Sequence, residues 1–399
     1  MSRKEAVVAT SGAVVKPPVL GRAEDCDEKT VFMIWMRAGG RCQFRGCNRD
    51  LLEHLPSATP HKRLGYVAHI VAASPAGPRG DQVRSQLLSK DIRNVMLLCD
   101  GCHRTIDSAE HQANYSEALL LEMKRDHEAR IKLLTGLGED RASHVLCYGA
   151  DIGKQEANLS MDRIGRAMTP ERFPASMDPI KIELQGLASR DNDPCFWTTQ
   201  QQNLRSLFDQ RVKPRLERRE LPHLSVFAIA PQPLLMELGR LLGDIGEHEV
   251  RQLHREPAGW RWAEDGPPIE FVIRRPTSFN GAPALILGVS APISDERITS
   301  VLGEDVSIWS IMAAERGVDV MRRKEDLSRF RKEVRAILAE IKAAHGENAI
   351  ISVFPALPVS AAVEVGRVWM QKADLPLQVY DQQPHPRGFL PALMIQGGP

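Results

Sequence analysis

"LLCDGCHRTID" (residues 97–107) sets two cysteines, a histidine and two aspartates within nine positions, Cys99 to Asp107. Cys99 and Cys102 form a C-x2-C knuckle, and "CQFRGC" (42–47) supplies a C-x4-C knuckle, Cys42 and Cys47, upstream. Two such knuckles can close a tetrahedral four-thiolate zinc site. Four cysteines leave no position open to substrate, so this zinc is structural. In a region with little core it supplies much of the folding energy. His103 is then left over. Asp107 follows it by four positions, on the same face if a helix begins here, and the pair can hold a second, catalytic divalent ion.

Working outward, "GYVAHIVAASPAGPRG" (65–80) places His69 in a strand-like apolar run that ends in a Pro/Gly loop, and "DIRNVMLLC" (91–99) puts Asn94 at the end of a turn. The acidic start and apolar continuation of "AEDCDEKTVFMIWMRAGGRC" (23–42) suit a short helix stopped at Gly39-Gly40, and "YSEALLLEMKRDHEARIKLLTG" (115–136) has helical periodicity with a Gly stop. "GLGEDRAS" (136–143) reads as a linker.

The chain has 399 residues, 43% hydrophobic and 26% charged, which fits a folded protein of two or three domains. No apolar run approaches the roughly 18–20 residues of a membrane span. Residues 1–20 read as a flexible tail rather than a signal peptide. Seven cysteines without a secretory signal argue for a reducing, cytoplasmic setting. Cys26, Cys147 and Cys195 read as buried small hydrophobes, and His54, His61, His111 and His127 as surface residues. Net charge is +1, and residues 1–140 hold 20 Lys and Arg against 18 Asp and Glu, so charge alone gives no argument for a nucleic-acid partner.

From about residue 143 the pattern changes. Short apolar runs ("HVLCYGADI", "IKIEL", "LSVFAIAP", "EFVIRR", "ALILGVS", "AIISVFPA", "LPLQVYD") alternate with several helical stretches, which implies an α/β region with a mostly parallel sheet. "FAIAPQPLLMELGRLL" (227–242) and "SVFPALPVSAAVEVGRVW" (352–369) look alike: an apolar strand, a Pro-containing turn, then a helix with Gly-Arg near its end. That similarity suggests a duplicated fold. No G-x-G-x-x-G or Walker loop is present, which argues against NAD or NTP phosphate binding.

Two resemblances follow from these residues. The order AHI…GPR…RN-x-x-x-LC-x-x-CH-x-x-ID, over roughly 30–130, resembles the HNH endonuclease family and its ββα-metal core. On that resemblance His69 is the general base that activates water, Asn94 orients the loop carrying it, and His103 ligates the catalytic ion, Mg²⁺ or another divalent cation. Many members of that family carry Asp just before the catalytic His; Ala68 stands there in this chain, and Asp107 is the candidate replacement. The rear, about 145–395, resembles the SAVED domain, two fused CARF-like Rossmann-type units that bind cyclic oligonucleotides. Its most specific parts are "FAIAPQPLLMELG", the W-x-W at 260–262 and "FPALPVSAAVEVG".

The resemblance implies a multidomain α+β and α/β protein: a zinc-bearing HNH domain over 21–136, a linker over 137–143 and a SAVED domain over 144–399. A ligand site would sit where strand C-termini meet helix N-termini. Pro231, Gln232, Pro355 and Ser360 lie at such turns, Trp260 and Trp262 can stack on a base or pack in the core, and Arg255 with Arg274 or Arg275 can meet phosphates. HNH followed by SAVED resembles the effector nucleases of bacterial CBASS anti-phage systems. It implies a homo-oligomer that assembles further on a cyclic di- or trinucleotide and then cuts double-stranded DNA. A constitutive or modification-dependent HNH restriction endonuclease, and a zinc-bearing DNA-binding regulator without catalysis, are the other classes that fit the same residues.

Overall fold

The computed structural model describes residues 26–52, 65–150, 159–184, 195–244, 246–317, 319–383 and 388–397. The tail expected over 1–20, and His54 and His61, lie outside the described residues. The chain divides into two compact units, Met1–Leu137 and Gly138–Pro399.

In the front unit, helix α1 (Glu28–Ala38) starts where the Asp27 carboxylate accepts the Thr30 N–H at 2.7 Å, and stops at Gly39 with φ +61°. Strand β1 (Gly65–His69), helix α2 (Arg84–Leu88), strand β2 (Val95–Cys99), helix α3 (Asp100–Asp107) and helix α4 (Glu117–Thr135) follow. β1 and β2 pair antiparallel, with Gly65 opposite Cys99 and His69 opposite Val95, and α3 continues directly from β2. All five β2 residues are buried, packed with Ile34 and Ala38 of α1, Ile106 of α3 and Leu120 of α4. His127, expected on the surface, is buried: its Nε2 donates to the Ala38 carbonyl at 2.9 Å, fastening α4 to the end of α1.

The rear unit opens with β3 (Ala142–Ala150), α5 (Met161–Met168), β4 (Phe173–Pro174), β5 (Ile180–Leu184), α6 (Phe196–Arg211), α7 (Lys213–Glu217), β6 (His223–Ile229), α8 (Gln232–Leu242) and β7 (Glu247–Val250). These strands form a parallel sheet in which β3 pairs with β4 and β5 on one side and β6 on the other, with β7 beyond β6. A small hairpin, β8 (His254–Arg255) and β9 (Ala258–Gly259), leads to β10 (Phe271–Arg274), β11 (Ala282–Gly288), α9 (Asp295–Leu302), β12 (Val306–Ala313), α10 (Lys324–His345), β13 (Ile351–Ala356), α11 (Val359–Val368), β14 (Leu377–Gln383) and β15 (Gly388–Ile395). The second sheet runs β10-β12-β11-β13-β14-β15. Its four central strands are parallel and both edge strands antiparallel. Both sheets reverse their winding at their first parallel strand, between β3 and β6 and between β11 and β13, which is where open α/β sheets bind ligands.

The two halves meet through α8 and α11. A Cβ on Gly239 would lie 1.9 Å from the Val363 carbonyl oxygen, and one on Gly366 would lie 1.8 Å from that of Met236. The helices therefore cross backbone to backbone. Met236, Glu237, Gly239 and Arg240 recur 127 positions later as Val363, Glu364, Gly366 and Arg367. The fully buried Glu237 accepts from Arg205 and Arg240, both at 2.6 Å, and Glu364 accepts from Arg367 at 2.7 Å. The repeated strand–Pro–helix–Gly-Arg pattern is thus one interface seen from its two sides.

Candidate functional site

The first site is built by the ends of α1, β2 and α3. Past Gly39, the chain returns to itself through Cys42 N–H to the Arg49 carbonyl (2.9 Å) and an Arg41–Asp50 bridge, enclosing a turn with Gly46 at φ +84°. Gln43 docks this turn on β2: its N–H donates to the Leu97 carbonyl at 2.8 Å and its Oε1 accepts the Leu97 N–H at 2.7 Å. Cys99 ends β2 and Cys102 sits in the first turn of α3. The four Sγ atoms of Cys42, Cys47, Cys99 and Cys102 lie within 4.8 Å of one another, with Cys47 and Cys99 at 3.9 Å.

A tetrahedron with Zn–S bonds of about 2.3 Å has sulfur edges of about 3.8 Å, so the cluster fits zinc. As bare thiols two of the four resist ionisation: burial pushes Cys42 up to about 11 and pushes Cys102 upward as well, while for Cys99 the effect of burial is outweighed by hydrogen bonds from its cysteine neighbours and the thiol is shifted downward. A divalent cation reverses that preference. Cys42 Sγ already accepts the Cys99 N–H at 3.3 Å.

At the end of the hairpin away from Cys99, where it pairs with Val95, His69 closes β1. Its Nε2 lies 2.8 Å from the Ser89 carbonyl oxygen and 3.7 Å from Cys26 Sγ. Asn94, only 4% exposed, clamps the segment after β1: Oδ1 accepts the Val71 N–H at 2.9 Å, while Nδ2 donates to the Val71 carbonyl at 2.9 Å and the Leu88 carbonyl at 3.2 Å. This geometry suits a residue that orients the loop behind a base. His103 stacks on Tyr66 with centroids 5.0 Å apart, and its Nε2 lies 3.5 Å from Asp107 Oδ2. Asp107 is not placed as the open ligand expected of it, because its Oδ1 accepts from Arg79 Nη2 at 2.7 Å. Ala68 is buried, and among the described residues no second group of three or more His, Cys, Asp or Glu converges. The His103–Asp107 pair therefore does not make a complete catalytic cation site.

The second site lies on the rear unit, at the strand C-termini. Pro231 precedes α8, and Pro358 precedes α11; Pro355, expected in that turn, lies inside β13 opposite Leu287. Gln232 Oε1 accepts the Leu357 N–H at 2.9 Å, joining the first turn of α8 to the β13–α11 turn of the other half. Ser360 is fully buried, and both its N–H and its hydroxyl donate to Gln252 Oε1, at 3.1 and 2.7 Å. Its hydroxyl thus holds the chain leaving β7 against α11.

Trp260 is 3% exposed and packs edge-on against Phe227, so it is a core residue rather than an open stacking platform. Trp262 is also buried, but its Nε1 finds no partner among the described residues, nor does Nε2 of His254, whose ring lies 6.0 Å away. Burial pushes the His254 imidazole toward its neutral form, with Asp319 opposing. Arg255 sits exposed on the β8–β9 hairpin. Arg274 and Arg275, expected to meet phosphates, each make two hydrogen bonds to a carboxylate, Asp295 and Glu340 respectively. Gln252 and His254 carry no signal in the sequence: each is an isolated polar residue whose partner is distant along the chain. Arg79 stands in the GPR of the HNH-like order, but nothing in that spacing gives its partners Ile70, Ile106 and Asp107.

Residues 204–395 match the family model described as "SMODS-associated and fused to various effectors sensor domain", or SAVED. The chain carries a SAVED sensor domain there, running from within α6 through the whole second sheet. No curated protein matches the chain. Among solved structures it is similar to the Acinetobacter baumannii Cap4 SAVED/CARF-domain containing receptor with the cyclic trinucleotide 2'3'3'-cAAA. That match has 10% identity and a TM-score of 0.41, over 70% of this chain and 56% of that one. The same receptor with 3'3'3'-cAAA matches at 10% identity and 0.41, over 70% and 62%. The Moraxella osloensis Cap4 receptor matches at 12% and 0.38, over 74% and 64%. The chain thus spans less than two thirds of each of these receptors.

Proposed function

We propose that this protein is an anti-phage effector that hydrolyses double-stranded DNA when a cyclic di- or trinucleotide fills its rear domain. The observation that carries the proposal is the joining, in one chain, of a SAVED sensor domain with a β-β-α unit that carries His69, Asn94 and His103 together with four convergent thiols. His69 takes the proton from the attacking water through its lone-pair nitrogen, a task for which imidazole is suited near neutral pH. The Nε2 contact with the Ser89 carbonyl and the Asn94 clamp fix the ring and the loop behind it. Zinc held by Cys42, Cys47, Cys99 and Cys102 supplies folding energy to this unit. The expected catalytic cation lacks a complete donor set among the described residues, so no step is assigned to it.

Gating requires the ligand to prefer the cutting assembly over the idle one, since equal affinity shifts nothing. In the proposal, ligand seated where α8 and α11 begin drives protomers into a higher oligomer. No helix among the described residues is long and apolar enough to cross a membrane.

The test is plasmid cleavage by the purified chain in Mg²⁺ or Mn²⁺ with a panel of cyclic di- and trinucleotides that includes 2'3'3'-cAAA and 3'3'3'-cAAA. The expected result is cutting only with a matching ligand. Full cutting without ligand indicates a constitutive nuclease, and ligand-dependent DNA binding without cutting indicates a regulator.

A further inference from the structure

We infer that Arg79 is a positioning residue for His69, holding the end of the base-bearing strand against the end of α3; this rests on the nuclease reading above. The loop after β1 is folded to deliver this one side chain. Gly77 N–H donates to the Ser74 carbonyl and Gly80 N–H to the Gly77 carbonyl, both at 2.9 Å, and Ala72 N–H reaches the Pro78 carbonyl at 3.3 Å. A Cβ on Gly80 would stand 2.4 Å from the Ser74 oxygen and 2.6 Å from that of Pro75, so the loop closes only around glycine there. Arg79, just before it, takes φ +57°, a left-handed conformation uncommon for residues other than glycine. Its side chain turns inward and is 9% exposed.

Three acceptors receive the guanidinium: the Ile70 carbonyl from Nε at 2.7 Å, the Ile106 carbonyl from Nη1 at 2.8 Å, and Asp107 Oδ1 from Nη2 at 2.7 Å. Ile70 directly follows His69, and Ile106 and Asp107 end α3. Asn94 grips the same segment through its N–H groups, taking Ile70 N–H on its carbonyl at 2.7 Å and Val71 N–H on Oδ1 at 2.9 Å. Arg79 holds the opposite polarity, the Ile70 carbonyl. One planar fork thus spans two segments, which the point charge of a lysine cannot reproduce. Releasing the Ile70 carbonyl lets the strand end shift relative to Ser89, whose carbonyl sets the His69 ring. A misplacement of about 1 Å in a reacting group costs about 10²-fold in rate.

The test measures plasmid cleavage by full-length Arg79→Gly and Arg79→Lys with 2'3'3'-cAAA, 3'3'3'-cAAA and the rest of the panel above, with zinc content and melting temperature as controls on folding. Glycine suits φ +57°, so that variant removes the fork without straining the backbone. Both variants are expected to keep their zinc, to leave KM for DNA unchanged and to lose about 10²-fold in kcat. Wild-type kcat in either variant, or a loss confined to KM, overturns the inference. Should one variant lose zinc, the other decides; loss of zinc in both marks Arg79 as a folding residue and also overturns it. If wild type cuts with no nucleotide of the panel, the nuclease reading fails by itself, and amide hydrogen exchange decides whether Arg79 holds the strand end. Ile70 and Val71 are expected to exchange about 10-fold faster in Arg79→Gly than in wild type, and equal exchange overturns the tie.

Discussion

Gly239→Ala sets two effects of opposite sign against each other at the α8–α11 crossing. By helix propensity alone, alanine is better than glycine by about 1 kcal/mol. The new methyl, however, would stand 1.9 Å from the Val363 carbonyl oxygen and 2.9 Å from the Arg367 nitrogen, where real contacts stay above 3.0 Å. Reaching 3.0 Å from 1.9 Å moves one helix by about 1.1 Å at the point where both halves of the rear core meet. Overpacking costs about 1–3 kcal/mol when side chains can adjust. Here the obstacle is backbone, so the upper end applies and the net loss is about 2 kcal/mol. For a unit of this size that lowers the melting temperature by about 4–8 °C.

Scanning calorimetry of the full chain reads this directly, with the rear transition identified as the one that chelator leaves in place. Gly366→Ala should behave alike, since its methyl would meet the Met236 oxygen at 1.8 Å. The double variant should cost less than the sum, because one opening relieves both clashes. A Gly239→Ala protein as stable as wild type, or more stable, would refute the backbone-to-backbone crossing.

Three further outcomes follow. Chelation, or Cys42→Ser, should remove one zinc per chain and leave 26–137 open to protease while the rear unit stays resistant; protection that survives complete zinc loss contradicts the structural role of the cluster. Asn94→Asp should destabilise the front unit by roughly 2–4 kcal/mol, because an acceptor-only side chain turned toward the Val71 and Leu88 carbonyls leaves both unpaired; chelator-sensitive melting at the wild-type temperature speaks against the clamp. Burial holds the His223 imidazole at about 4, below its unfolded value of about 6.5, with Nδ1 2.7 Å from Ser143 Oγ. The folded state therefore keeps the neutral ring down to about 4, whereas the unfolded chain takes up a proton below about 6.5, so the stabilisation is fully present above about 6.5 and up to roughly 3 kcal/mol is lost as pH falls toward 4. Urea unfolding at pH 7 and 4.5 should show a smaller loss in His223→Asn, and an equal loss in both proteins would exclude this histidine as the cause.

The parts of the molecule legible in the sequence are those written in local spacing. The two knuckles converge because cysteines at x2 and x4 spacing bracket tight turns. The Asp- and Ser-capped, Gly-stopped helices α1 and α4 fall where their end signals put them. The likeness of 227–242 to 352–369 was visible, and its reason is the reciprocal approach of Gly239 and Gly366. Strand β12, central to the second sheet, was not picked out: "VSIWSIMA" carries buried Ser307 and Ser310, which break the apolar run. The Ser307 hydroxyl donates to the Ser278 and Gly281 carbonyls, partners on another segment.

The same limit accounts for the misplaced side chains. Trp260, with the composition of a stacking residue, is taken by Phe227, and Arg274 and Arg275 are taken by carboxylates 21 and 65 residues away. Cys195, expected in the core, is exposed just before α6, off the inward face that Phe196, Trp197, Gln200, Leu204 and Phe208 form. Asp107 shared a helical face with His103 as expected, but the residue that determines its role, Arg79, lies on a loop 28 positions earlier.

Ligand-gated cutting through His69 is read by counting DNA ends against cyclic-nucleotide concentration for wild type and His69→Ala, with ligand binding measured on the same preparations. Both proteins should bind the activating nucleotide equally and keep their zinc, wild type should cut only with ligand, and His69→Ala should cut about 10²–10⁴-fold more slowly. Equal cutting by the two proteins, or cutting by wild type that ignores the nucleotide, contradicts ligand-gated cutting through His69.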